Sequence, residues 1–187
     1  MIRTISRFED IMQGVIVRLL GWNLTTPDKT NNVRIGWQQP GAPAWEITSD
    51  MVFITATPVR DPISEQHDVI IKEGSPDIII STGFTRVMKL SVVVYGYRAD
   101  EIAYNILLGM FRENPKLELQ RENIFLLPNT DPPRRVPELF EGQWWERSDL
   151  ELSFNELVVD DQQFNSVESV DVEVHDKDGL VTEFTVN

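Results

Sequence analysis

From Ile5 onward the apolar residues Ile5, Phe8, Ile11, Met12, Val15, Ile16 and Leu19 recur every three or four positions, with Arg7, Asp10, Gln13 and Arg18 between them. That spacing lays one apolar stripe along a helix, which ends near Gly21. Residues 23–50 carry the turn formers Asn31, Asn32, Pro40, Gly41 and Pro43 around a short strand pattern at Val33–Trp37. Such a long connection is usually functional or mobile. Met51–Thr57 reads as a strand closed by Pro58, and the β-branched runs Val69–Ile71 and Ile78–Ile80 flank Glu73-Gly74-Ser75-Pro76. These runs predict a projecting hairpin arm over about 68–81.

The strongest strand pattern is Thr85–Tyr97, where Met88, Leu90, Val92 and Val94 fill one face and Val87, Val93, Tyr95 and Tyr97 make much of the other apolar. A strand apolar on both faces belongs at the centre of a sheet. Beyond Gly96 a second helix carries Ile102, Ala103, Ile106, Leu107, Met110 and Phe111 in one stripe, with Asn114-Pro115 as its stop. Ile124–Leu127 is a short strand, and Asp131-Pro132-Pro133-Arg134-Arg135 is a stiff loop that continues neither element. In Trp144–Val159, Leu150, Leu152 and Phe154 alternate with Asp149, Glu151, Ser153 and Asn155, as in a half-solvated strand. Val167–Val174 and Leu180–Val186 follow, joined through the hairpin dipeptide Asp178-Gly179. The fold class is therefore α+β: a mixed, mainly antiparallel sheet with two packed helices and extended loop and hairpin arms, in a single domain over residues 1–187.

Charge changes this picture more than composition does. Hydrophobic residues make up 41% and charged residues 25% of the 187, ordinary values for a folded chain. The net charge of −13, however, is concentrated: residues 138–187 hold fourteen acids and two bases, a net −12 in an acidic, β-rich C-terminal part. Such a balance argues against a nucleic-acid reader, which presents bases to phosphate. With no cysteine, disulfides and thiolate metal sites are excluded, and a reducing compartment fits. Glu9 and Asp10 interrupt the N-terminal apolar pattern as no signal-peptide core would, and no apolar run reaches the ~18–20 residues of a membrane span.

Catalytic chemistry finds little support. There is no phosphate-cradling glycine string, no nucleophile elbow, and no zinc-binding spacing around the two histidines, His67 and His175. Strand alternation would align Asp171, Glu173 and His175, but a solvated strand face is the commoner meaning of that pattern, and Asp160-Asp161 reads as a water-facing turn. No cofactor or metal is expected. Binding signals are stronger, because tryptophan and arginine concentrate where protein surfaces carry binding energy. The candidate interface residues are Trp37, Trp45, Trp145, Arg147, Arg134 and Arg135, with Trp145 sharing the polar face of its strand with Arg147 and Asp149.

These features form a recognisable combination: the N-terminal amphipathic helix, the short strand around Arg34 and Trp37, the strand passing through Gly96 and Ala99 into the helix bearing Ala103, and Trp145-x-Arg147-x-Asp149 followed by Leu152 and Phe154. In this combination the chain, from about Ile5 to Val174, resembles the tail terminator or neck terminator proteins of tailed bacteriophages. The resemblance implies a non-enzymatic structural protein of the virion neck, assembled in the host bacterial cytoplasm. It implies a homo-oligomeric, hexameric ring that ends the tail tube and docks it to the head connector or stopper protein. DNA would pass through the channel without specific binding, and Glu168, Asp171, Glu173, Asp176 and Asp178 are the candidate channel-lining acids. The alternatives are another head-tail connector or tail-completion subunit, a soluble β-rich ligand-binding module whose tryptophans line one pocket, and, last, a hydrolase.

Overall fold

The computed structural model describes residues 4–22, 32–36, 45–46, 48–62, 66–73, 77–165, 170–176 and 179–186. In chain order its elements are α1 (Ile5–Leu19), β1 (Val33–Ile35), β2 (Met51–Val59), β3 (Asp68–Glu73), β4 (Asp77–Tyr95), α2 (Ala99–Met110), α3 (Glu113–Arg121), β5 (Ile124–Leu126), β6 (Arg134–Arg135), β7 (Glu138–Phe140), β8 (Gln143–Trp145), β9 (Arg147–Asn165), β10 (Val170–Asp176) and β11 (Gly179–Val186). The chain divides into two compact units, Met1–His67 with Phe84–Val158, and Asp68–Gly83 with Val159–Asn187. The long strands β4 and β9 carry residues of both.

In the first unit the strands run β1-β2-β4-β9-β5, with β6 also on β9. β1 is parallel to β2, while β2 is antiparallel to β4, and β5 and β6 are antiparallel to β9. The α+β architecture with a mixed, mostly antiparallel sheet is thus present. Even-numbered residues of the central strands form the core: Val52, Ile54 and Ala56, then Met88, Leu90, Val92 and Val94, then Leu150, Leu152 and Phe154. Against them pack Phe8, Met12, Val15 and Ile16 of α1 and Ile102, Ala103, Ile106 and Met110 of α2. Phe8 meets Phe154 edge to face, with centroids 6.0 Å apart. Gly109 lets α1 approach α2, since a Cβ there would lie 2.5 Å from the Leu19 side chain. At the end of this face Arg86 pairs with Glu156, which is buried.

α1 begins at Thr4, whose hydroxyl accepts the Arg7 amide at 3.2 Å. Its contact with the sheet is polar as well as apolar. Glu9 is buried and its Oε1 accepts the backbone N–H of Ala56 at 2.9 Å, while Gln13 donates to the Val33 carbonyl at 2.6 Å.

That contact explains why β2 does not stop at Pro58 as its sequence suggests. Val52 donates to the Asn32 carbonyl and Ile54 accepts from Gly36, so even-numbered backbone groups of β2 point away from β4, toward β1 and the Glu9 carboxylate. Pro58 shares that parity, so its missing N–H costs the β2–β4 ladder nothing, and the strand reaches Val59 opposite Val87.

Other boundaries also differ from the pattern. Ile78–Ile80 and the run from Thr85 belong to one nineteen-residue strand, because Ser81, Thr82 and Gly83 pair with Ile70, Val69 and Asp68, and that strand ends at Tyr95, with Tyr97 in the turn that follows. Asn114-Pro115 does not end helical structure: among the described residues there are three helices, and Pro115 sits in the first turn of α3, where an amide donor is not needed. Arg134–Arg135, read as loop, pairs with Asp149 and Ser148 of β9. Trp144-Trp145 is not the start of β9 but belongs to the β7–β8 hairpin, turned by Glu141 and Gly142 at positive φ. Asp160-Asp161 lies within β9, not in a turn.

In the second unit β3 is antiparallel to the first residues of β4, from Asp68↔Gly83 to Glu73↔Ile78. The Ser81 hydroxyl donates to Asp161 at 2.6 Å. β10 and β11 form their own antiparallel ribbon, with a register shift between Val174 and His175.

The Glu9 contact makes a direct prediction. Glu9→Leu fills the space but leaves the Ala56 amide without its acceptor, which should cost about 1–3 kcal/mol, whereas Glu9→Gln retains an acceptor and should cost less. Urea denaturation of the three proteins decides it; equal stability of the Leu and Gln variants would refute the role of the hydrogen bond.

Candidate protein interface

The helices cover one face of the sheet. On the other, odd-numbered residues of β2 and β4 start an aromatic cluster: Phe53 and Tyr95 meet at 5.9 Å. Trp45 packs 5.7 Å from Phe53, 5.1 Å from Tyr95 and 4.7 Å from Trp145, the last edge to face. Each such pair contributes roughly 0.5–1.5 kcal/mol beyond burial.

Charged groups border the cluster. Arg147, the first residue of β9, holds its guanidinium 5.8 Å from the Tyr95 ring centre and grips both oxygens of Asp149 at 2.7 and 2.8 Å. It also donates to Glu138 on β7 at 3.1 Å, and the Tyr95 hydroxyl donates to the same carboxylate at 2.8 Å. Burial first, and then the bond to Glu138, pushes the Tyr95 phenol up to about 12, while Arg147 opposes that shift. The bonds from Tyr95 and then Arg147 hold the Glu138 carboxyl below its ordinary range. Arg147 itself is raised, chiefly by its bond to Asp149.

The turn after β4 fixes these elements together. Gly96, at φ +115°, donates its amide to the Glu146 carbonyl, and a Cβ at Gly96 would lie 2.7 Å from Asp50 Oδ1. Asp50 in turn accepts from Arg98 at 2.6 and 3.0 Å. Glu146 separates β8 from β9, so Trp145 and Arg147 reach the cluster from different elements.

Trp45, Trp145 and Arg147 thus come together. Arg134 lies apart, in an exposed pair with Asp131 at 3.4 Å. Arg135 is exposed and lines, with Arg147, Ala99, Asp100, Pro137 and Glu146, a cavity of about 250 Å³. Trp37, Glu168 and Asp178 lie outside the described residues, as does most of the 23–50 loop. Asp171, Glu173 and Asp176 lie on β10, and Glu173 stands opposite Glu183 of β11. The register shift after Val174 interrupts the alternation that aligned His175 with Asp171 and Glu173.

Trp144 and Leu139 stand outside the set of candidate interface residues. They face each other across the β7–β8 hairpin and both are exposed, Trp144 by 66%. The signal was present, since adjacent tryptophans in a strand must point to opposite faces. Among the described residues no group of acidic and histidine side chains could hold a metal ion, and no helix is long and apolar enough to cross a membrane.

A family model described as phage neck terminator protein matches residues 5–179. No curated protein matches the chain.

The Tyr95 environment predicts alkaline behaviour. Its folded pKa of about 12 exceeds the ordinary 10.0. The neutral phenol is therefore favoured by folding: that stability is complete below about pH 10 and is lost as pH rises through about 12. Phenolate absorbance should show a step near pH 12 that Tyr95→Phe removes; a titration unchanged by the substitution would contradict the assignment.

Proposed function

The chain belongs to the phage neck terminator protein family, and on that basis we propose that it is a structural subunit of the virion neck whose copies close into a hexameric ring. The ring ends the tail tube, docks to the head connector or stopper protein and leaves a channel for DNA. It assembles in the host cytoplasm and performs no catalysis. The match over residues 5–179 is the observation that carries this reading.

Surface chemistry supports it. Trp144 and Leu139 on the β7–β8 hairpin, Tyr97 beyond β4 and Val69–Ile71 on β3 are all exposed large apolar side chains. Apolar surface of this extent is suited to partners. The Trp45–Trp145–Arg147 cluster shapes the ground beneath the β7–β8 hairpin, and with Trp37, Arg134 and Arg135 it belongs to the contact surface. The acids Glu168, Asp171, Glu173, Asp176 and Asp178 face the channel, where repulsion from phosphate keeps passing DNA from binding.

Two measurements test this. Native mass spectrometry should find a closed hexamer, and a monomer at every concentration would overturn the ring. Changing Asp171, Glu173 and Asp176 together to Lys should leave the ring intact yet create DNA retention that falls steeply with salt, since each new phosphate contact releases counterions. A charge-reversed ring that still ignores DNA would place these residues away from the channel.

A further inference from the structure

Val69, Ile70 and Ile71 of β3 are consecutive β-branched residues exposed by 60%, 57% and 65%. Side chains alternate along a strand, so β3 is apolar on both faces and open on both. One of its edges is paired, from Asp68↔Gly83 to Glu73↔Ile78 of β4, whereas along the other no strand is paired among the described residues. Such an edge is a template for another strand. Prolines and bulges blunt the edges of many sheets, but β3 contains no proline, its register on β4 is unbroken, and its charged residues stand only at its ends.

The order of residues says what fits that edge. β3 runs Asp68-Val69-Ile70-Ile71-Lys72-Glu73, an apolar triplet with an acid before it and a base after it. Reversed, that order complements itself. In an antiparallel pairing of two such strands centred on Ile70, Ile70 meets its own copy, Val69 meets Ile71, Asp68 meets Lys72, and Glu73 falls opposite His67. Apolar residues then face apolar residues, and each acid faces a base or a histidine.

The neighbouring registers do worse. A shift of one residue sets Asp68 against Glu73 and Val69 against Lys72, and a shift of two sets Ile70 against Lys72 and Val69 against Glu73. Parallel strands in register would stack Asp68 on Asp68 and Lys72 on Lys72. Like charges opposite one another destabilise a strand pair, so the sequence of β3 favours the antiparallel register about Ile70.

We infer that the free edge of β3 pairs, antiparallel and centred on Ile70, with β3 of a second copy of this chain. The contact is isologous, one patch meeting itself about a twofold axis. It is therefore distinct from ring closure, which joins two different patches head to tail, and it links copies that are not neighbours within one ring. Pairing also limits itself: once two such edges meet, neither is left open to recruit a third strand. Six residues a side make a small contact, so the association depends on concentration.

Because the chain has no cysteine, single substitutions map the register. Residues opposite one another in an antiparallel pair have Cα atoms about 4.5–5.5 Å apart, within disulfide reach, while those two places out of register are about 7–8 Å apart. Under mild oxidation Ile70→Cys should give disulfide-linked dimers on the order of tenfold faster than Val69→Cys or Ile71→Cys. Equal rates at the three positions, a fastest rate at 69 or 71, or no dimer from Ile70→Cys at any concentration overturns the pairing. Charge reversal reads the same contact without a new bond. Asp68→Lys leaves two bases flanking the triplet and Lys72→Glu leaves two acids, so each variant alone should need on the order of tenfold more protein for half-association in sedimentation velocity, and an equimolar mixture should regain the wild-type value as mixed pairs. Thermal midpoints matching the wild type's show that each variant is folded. A mixture that associates no better than its components overturns the self-pairing, as β3 docking on another region of the chain or on a different protein would produce.

Discussion

Side-chain parity on the two longest strands governs the rest of the molecule. β4 and β9 are nineteen residues each, and a strand offers alternate residues to opposite faces. In the first unit the even positions of both strands meet the helices, so the odd positions must face elsewhere. A one-residue slip in either strand would bring Lys89 or Glu151, now an exposed pair at 2.7 Å, under α1 and α2. The aromatic cluster around Tyr95, the gripping of Asp149 by Arg147, and the buried Arg86–Glu156 pair all follow from that single choice of face. In the first unit Arg86 and Glu156 place charge on the buried parity, and they survive there as a mutual pair; removing Arg86 would take the cation from beside the buried Glu156 carboxylate at a cost of roughly 3–5 kcal/mol.

Most of this was legible in the residues. The alternation of Met88, Leu90, Val92 and Val94, and that of Leu150, Leu152 and Phe154, reports the buried face directly, and the spacing of Phe8, Met12, Val15 and Ile16 reports the helix that covers it. What misled were residues whose meaning depends on a partner. Pro58 looks like a strand end until the direction of its missing N–H is known. Ser81-Thr82-Gly83 looks like a break until β3 is seen to pair there. Asn114-Pro115 looks like a stop, yet a proline three residues into a helix is as compatible with a beginning. In each case local propensity was overridden or reinterpreted by a hydrogen bond made across the fold.

The candidate interface was legible in kind more than in detail. Tryptophan and arginine enrichment singled out Trp45, Trp145 and Arg147, which do meet, yet no spacing rule could bring Trp45 to Trp145 from a hundred residues away. Nor could alternation alone decide which of Trp144 and Trp145 faces inward, because Glu146 interrupts the strand at the point where the count would have to continue. An open stripe on α2 was hidden differently: Leu107 and Phe111 entered the helix's apolar stripe as core residues, whereas Phe111 is exposed and aligned with Leu108 and Tyr104 instead.

The Glu9 carboxylate and Pro58 have a bearing on the border of the sheet as well. Beyond the three residues of β2 paired to β1, the free edge of β2 carries the Ala56 amide, already held by Glu9, and an imino acid at 58 that has no amide hydrogen to give. A newly made chain therefore presents no donor there to recruit another copy into an unbounded amyloid-like ladder. The concentration of the chain can then rise without that edge seeding fibres, and growth by strand addition is denied at one border of the sheet by chemistry that remains in force whatever binds elsewhere.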